Sequence, residues 1–233
     1  MKLFKFSSTY KAFTRSVRKY YKYGTTPNVE IFGSPTINNG VVSGFSGSNY
    51  LKTFPGQFTV ESEFADTWEM VFKVKYTSDS NYQNIWCQGT AYSSKFFIKE
   101  TGKIALDISN SSTSVNVVSI TGTTTLTNNT IYYFKAEFTG SAYKIYRSSN
   151  GTSWTQEASA NSSTKMTDRG KNAIGANIGD GTNYKQFKGQ IDLTKSYIKA
   201  NGKIWWSGTL PVAATSSDYD YYEGITEYDG FNL

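Results

Sequence analysis

A chain of 233 residues can bury one large β core or two small ones. It carries 18 Tyr, 15 Phe and 5 Trp, but no His and a single Cys. That excludes Ser-His-Asp and Cys-His nucleophiles, His-based metal sites, an internal disulfide and any multi-thiolate cluster. The formal charge of +6 is unevenly spread: residues 1–24 hold seven bases and no acid, residues 211–233 five acids and no base, and the stretch between is mildly basic.

The basic arm comes first. Tyr10, Phe13, Val17 and Tyr20/Tyr21 recur at a spacing that predicts one face of a short helix, with Lys11, Arg15, Arg18, Lys19 and Lys22 around the rest. Lys11, Phe13, Arg15, Arg18, Lys19, Tyr20 and Tyr21 are therefore candidate anchoring residues for docking on another protein, since aromatic side chains in so basic an arm need a cover. A solvated tail, or a helix folded on its own domain, is the plainer alternative. Nucleic acid is disfavoured, because no RRM or KH signature accompanies the charge. The arm lacks the apolar run of a secretory signal, and no segment reads as a membrane span. The expectation is a chain kept in a cytosol or exported inside a particle. Four glycosylation sequons, at Asn110, Asn128, Asn150 and Asn161, read as incidental in that setting.

From about Asn28 to Gly208 the apolar residues alternate. Trp68, Met70, Phe72, Val74 and Tyr76 share one strand face, with Glu69, Val71, Lys73 and Lys75 on the other. Ile104, Leu106 and Ile108 alternate with Ala105, Asp107 and Ser109. Tyr132, Phe134, Ala136 and Phe138 alternate with Tyr133, Lys135 and Glu137, and Tyr143, Ile145 and Arg147 follow the Gly140 turn. Shorter runs centre on Phe58–Val60, Ile85–Trp86, Phe96–Ile98, Val115–Val118, Ile174–Ile178 and Ile191–Leu193. Asn150-Gly151 predicts a tight hairpin turn with Trp154 packed back over it. Residues 158–172 read as the weakest stretch, a loop. Phe187–Gly208 reads as two strands joined at Asn201-Gly202, with a bend at Gly189. The tail alternates Tyr with Asp and Glu, which suits an edge strand or an extended peptide laid on a partner, with disorder as the plain alternative. A dozen or so short strands without a fixed repeat predict an all-β fold, a two-sheet antiparallel sandwich over residues 25–210, between an arm (1–24) and a tail (211–233).

Five ordered motifs carry a resemblance: Trp68–Lys75; Phe97–Ile108 with its central Gly-Lys-Ile; Leu126–Tyr143; Ser148–Trp154; and Phe187–Leu193, F-K-G-Q-I-D-L. Together they resemble the concanavalin A-like, laminin-G-like jelly rolls, in particular those of bacteriophage structural proteins. The resemblance implies a non-enzymatic virion protein, such as a head fibre, capsid decoration or tail-associated protein, present in many copies or as a homo-oligomer. It would assemble in the host cytoplasm, be anchored by its arm to capsid or tail subunits, and carry a jelly roll with affinity for host-surface glycans. A free-standing carbohydrate-binding lectin module is the alternative. No membrane partner is expected.

The chemistry follows from that frame. A sugar site would use exposed aromatics as platforms, and Trp86, Trp154, Trp205, Trp206, Tyr82 and Tyr184 are available. Trp86, Tyr184, Trp205 and Trp206 are the candidate carbohydrate-binding residues. Glu61, Glu63 and Asp66 resemble the carboxylate strand of β-glucanases only loosely, with the residue types in the wrong order, so a glycoside hydrolase is the weakest reading and no catalytic residue is assigned. No cofactor is assigned either. Calcium at Asp180-Gly181-Thr182-Asn183, with Asp107 contributing, is conceivable from the resemblance, but the spacing is not diagnostic and a plain Asp-Gly turn explains the loop.

Overall fold

Strict alternation needs a partner sheet to bury one face, and the chain supplies two. A computed structural model describes residues 15–21, 29–53, 66–88, 94–109, 116–166, 172–177, 185–207 and 219–225. The strands in chain order are β1 (Arg15–Tyr21), β2 (Val29–Phe32), β3 (Thr36–Asn38), β4 (Val41–Ser43), β5 (Tyr50–Thr53), β6 (Trp68–Lys75), β7 (Gln83–Gln88), β8 (Ser94–Ile98) and β9 (Ile104–Ile108). They continue with β10 (Val118–Thr121), β11 (Ile131–Phe138), β12 (Ala142–Ser148), β13 (Thr155–Asn161), β14 (Asn172–Ile174), β15 (Gln190–Ala200), β16 (Lys203–Ser207) and β17 (Tyr219–Ile225).

One sheet runs β10-β9-β8-β7-β14-β5-β2-β1-β17; the other runs β13-β12-β11-β6-β15-β4-β3, with β16 beside β15. All the pairings are antiparallel. The apolar sets face each other between the sheets. Met70, Phe72, Val74, Phe134, Phe138, Ile191 and Leu193 of the second sheet form one core with Leu51, Ile85, Trp86, Phe96, Ile98, Leu106 and Ile174 of the first. Burying each such side chain contributes about 1.5–3 kcal/mol, so the alternation itself fixes which face is inside. Trp86 is wholly buried in this core. It is packing, not a platform, because β7 lies mid-sheet and pairs Trp86 with Phe96.

Two elements differ from the sequence reading. The arm forms no helix over Arg15–Tyr21: that segment is β1, and its partner is β17, from Arg15 opposite Ile225 to Tyr21 opposite Tyr219. A short isolated helix is marginal in water, whereas a partner strand supplies a ladder to a segment with Val17, Tyr20 and Tyr21. The tail does form an edge strand, and the peptide it lies on is this chain's own arm. The expected loop after Ala158 also starts later, because β13 continues to Asn161. The closing hairpin is as read. Asn201 and Gly202 take φ of 49° and 76°, the left-handed pair that a two-residue turn between β15 and β16 requires.

Candidate ligand-binding groove

The outer face of the second sheet is built in cross-strand rows. Lys144, Glu137, Glu69 and Lys199 are directly opposite one another along β12, β11, β6 and β15. Next come Tyr146, Lys135, Val71 and Tyr197, then Ser148, Tyr133, Lys73 and Asp192. The middle rows form the floor of an open groove of about 410 Å³, lined by Val71, Tyr133 and Tyr197 and walled by two irregular segments. That volume lies in the roughly 300–1,000 Å³ range of small-ligand sites.

The first wall is the β12–β13 hairpin, which contributes Asn150, Gly151 and Trp154. Ser148 Oγ accepts the Asn150 and Gly151 amides at 3.2 and 2.9 Å, while Asn150 Oδ1 accepts those of Thr152 and Ser153, both at 2.9 Å. Only Gly151 is left-handed here (φ 79°), so the turn is longer than the two-residue one expected. A Cβ at Gly151 would lie 2.8 Å from Tyr133 Cε1; the glycine lets the turn sit on the tyrosine ring. Trp154 remains partly exposed, with Lys135 Nζ 5.3 Å from its ring centre.

The second wall is a bulge in β15. Asp192 pairs with Lys73 and Tyr197 with Val71, so Leu193, Thr194, Lys195 and Ser196 all oppose Phe72. Polar side chains hold the bulge. Ser196 Oγ donates to the Asp192 carbonyl at 2.7 Å and accepts the Lys73 amide at 3.2 Å, replacing the missing ladder bond. Asp192 Oδ1 accepts both the Thr194 amide (3.1 Å) and its hydroxyl (2.6 Å), and Asp192 Oδ2 accepts from Lys73 Nζ at 2.8 Å. From behind, the Leu193 amide donates to the Gly40 carbonyl at 2.9 Å, and Gly40, which lies between β3 and β4, leaves room for the Thr194 methyl. Burial pushes the Asp192 carboxyl up, but Lys73 and Thr194 outweigh it and hold the group below its ordinary range. The Asp192 hydrogen bond raises Lys73 in turn, against a smaller burial effect.

Tyr197 and Tyr146 stay neutral donors. Tyr197 donates to Glu69 Oε1 at 2.7 Å, and burial followed by the Glu69 charge drives its hydroxyl up. Tyr146 donates to Glu137 Oε1 at 2.7 Å and is pushed up to about 12 by burial and then by Glu137. Lys135 bridges Glu137 (3.2 Å) and Glu69 (3.6 Å) and stands 4.2 Å from the Tyr146 ring centre. Lys195 and Thr194 project from the bulge into solvent.

The structure brings together few of the residues chosen from sequence. Trp205 and Trp206 lie on β16, whose backbone flanks the groove where Ser207 pairs with Tyr197 and where the ladder passes from Trp206 to Ile204, skipping Trp205. Their side chains, those of Arg15, Arg18, Lys19, Tyr20 and Tyr21, and all of Lys11, Phe13, Glu61, Glu63, Tyr184 and Asp180–Asn183 lie outside the described residues. Tyr82 belongs to the other sheet's side, edge-on to Phe97 and 4.9 Å from Lys95 Nζ. Asp107 is no open calcium ligand: it is buried, 3.3 Å from Lys95 Nζ, and accepts from Ser119 Oγ at 2.7 Å. Asp66 is exposed and faces Lys165. Among the described residues, no group of three or more His, Cys, Asp or Glu is placed to hold a metal ion, and no helix is long and apolar enough to cross a membrane. Sequence reading missed Tyr133, Tyr197 and the bulge, and treated Trp154 chiefly as turn packing. The signal for the bulge was the polar run Asp192-x-Thr194-x-Ser196 inside a long strand.

Two antiparallel sheets around one core, with a hairpin and a bulge shaping an outer face, define a two-sheet antiparallel β-sandwich. Solved structures share it. The mouse laminin alpha1 chain, domains LG4-5, superimposes with a TM-score of 0.51 over 84% of this chain and 50% of that one, at 11% identity. The Ruminococcus gnavus IT-sialidase CBM40 bound to alpha2,3 sialyllactose gives 0.50 over 64% and 82%, at 16% identity. A botulinum neurotoxin type C structure, described by its interaction with two ganglioside molecules, gives 0.53 over 79% and 47%, at 11% identity. The chain thus spans about half the length of the laminin and neurotoxin chains. No protein-family model and no curated protein matches the sequence.

Proposed function

We propose that the chain is a non-catalytic carbohydrate-binding module whose ligand lies in the groove over Val71. The observation that carries the reading is the groove's composition. Aromatic Tyr133, Trp154 and Tyr197 stand beside the exposed polar residues Asn150 and Thr194 on the sheet, and sugars are held by that mixture of flat apolar surface and a few fixed polar atoms. Similar sandwiches, one bound to alpha2,3 sialyllactose and one described by its interaction with ganglioside molecules, support it. The facing carboxylates Glu69 and Glu137 are each engaged by lysines and a tyrosine, which favours a structural role for them over acid–base work.

The test is a glycan array followed by calorimetric titration of the best binder. Trp154→Ala and Tyr133→Ala should each weaken binding about tenfold or more while circular dichroism stays unchanged. A chain that binds no glycan, or whose Trp154→Ala variant binds as the parent does, sinks the reading.

The finer reading places this module on a bacteriophage virion, in multiple copies. Its support is the resemblance of Phe187–Leu193, at the start of β15; the similar structures named above include no phage component. Co-purification of the chain with a particle tests it.

A further inference from the structure

The groove has one formal charge among its lining residues. Val71, Tyr133, Asn150, Gly151, Trp154, Thr194, Ser196 and Tyr197 are neutral; Lys195 is the exception. The lysines nearby on the same sheet face are each ion-paired: Lys73 with Asp192, and Lys135, Lys144 and Lys199 with the two carboxylates Glu69 and Glu137 that they share. Lys195 makes no ion pair or hydrogen bond among the described residues, and it stands exposed on the bulge. The bulge is fixed at both ends by Asp192 and Ser196 and from behind by Gly40. An uncompensated ammonium on a preorganised support, beside a groove with no lining carboxylate, favours an anionic ligand group and disfavours nothing else in a neutral sugar.

We infer that Lys195 is the specificity-determining residue of the groove and selects glycans that bear a carboxylate or sulfate. This rests on the carbohydrate-binding reading of the same groove. A neutral glycan would use the aromatic and polar lining of the groove; an acidic one adds a charge-assisted contact to Lys195 at the rim. Because that contact is exposed, it weakens with salt, while stacking on Trp154 and Tyr133 does not.

The experiment is a titration of the full chain with matched probes, sialyllactose against lactose and oligogalacturonate against its methyl ester, at low and high sodium chloride. Wild type should prefer the acidic member of at least one pair by about tenfold, with the preference shrinking at high salt. Lys195→Gln should remove that preference, weakening the acidic member of a pair much more than the neutral one, and Lys195→Arg should restore it. Equal binding of both members of each pair by wild type, with Trp154→Ala still reducing it, overturns the inference and spares the carbohydrate reading. Equal loss of both members in Lys195→Gln also overturns it. Absence of any glycan binding overturns both. Thermal melting of each variant confirms that folding is unchanged, as expected for an exposed side chain.

Discussion

Glu157 shows how much one side chain can organise. Its carboxylate is almost fully enclosed, yet it accepts from the Thr123 and Thr124 amides at 3.1 and 2.9 Å, the Thr123 hydroxyl at 3.3 Å and Arg147 Nε at 2.9 Å. Burial favours the neutral acid, but these donors outweigh it and hold the group below the ordinary carboxylate range. A depressed folded-state pKa gives stability that is fully present above the unfolded value, near ~4.3 for Glu, and lost as pH falls through the folded value. Wild type should therefore lose more stability between pH 5 and pH 3 than Glu157→Gln does. At pH 7 the variant should be less stable by about 1.5–3 kcal/mol, since it leaves Arg147 without its charged partner. Urea midpoints at the three pH values check both; parallel acid curves would remove Glu157 as the source. Nothing local in T-Q-E-A-S-A-N announces this role. Its threonine partners lie 33 and 34 residues earlier, and only the folded register brings them together. Trp154 is the reverse case: the hairpin signal around it was plain, but its value as a groove wall depends on Tyr133 from another strand.

At the scale of elements, β6, β11 and β12 were legible because their apolar residues alternate without a break. The rows across them were not, since a row exists only once register is set. Glu137 and Glu69, directly opposite each other, repel, and Lys144 and Lys199 at the ends of the row offset that from one side each. Lys135, one row away, bridges both. Lys135→Met should destabilise the sandwich by about 1 kcal/mol, an effect that shrinks in high salt because screening relieves the exposed repulsion. Adding Glu137→Gln should recover most of the loss. Chemical denaturation of the single and double variants measures the coupling, and a double variant no more stable than the single one would count against a Glu69–Glu137 repulsion. The β15 bulge escaped the sequence reading for a related reason. Ile191 and Leu193 looked like an uninterrupted strand, and Thr194–Ser196 looked like its polar face. In the fold, four residues oppose one, and the polar side chains serve the bulge.

For the whole molecule, the charge zones read as separate arm and tail each supply one strand, Arg15–Tyr21 and Tyr219–Ile225, to a single ribbon. β1 pairs with β17 along its full length, but with β2 only through Tyr20 and Glu30. The segment that best invited an external partner therefore already has one inside the chain; among the described side chains, the buried core cluster draws on strands from β4 to β15. This fixes what truncation should do. Removing residues 211–233 deletes the ladder of Arg15–Tyr21, so the amides of that segment should exchange rapidly with deuterium. The strands of the two sheets around the groove should keep their protection, and glycan affinity should stay within about twofold, as expected for distant sites with no shared partners. Removing residues 1–24 should do the same to Tyr219–Ile225. Exchange followed by mass spectrometry on both truncations reads each segment directly. Protection of Arg15–Tyr21 that survives loss of the tail would show that the arm has another partner, which is what an anchoring role in an assembly requires; loss of protection leaves the ribbon as a self-contained cover on the edge of the nine-stranded sheet.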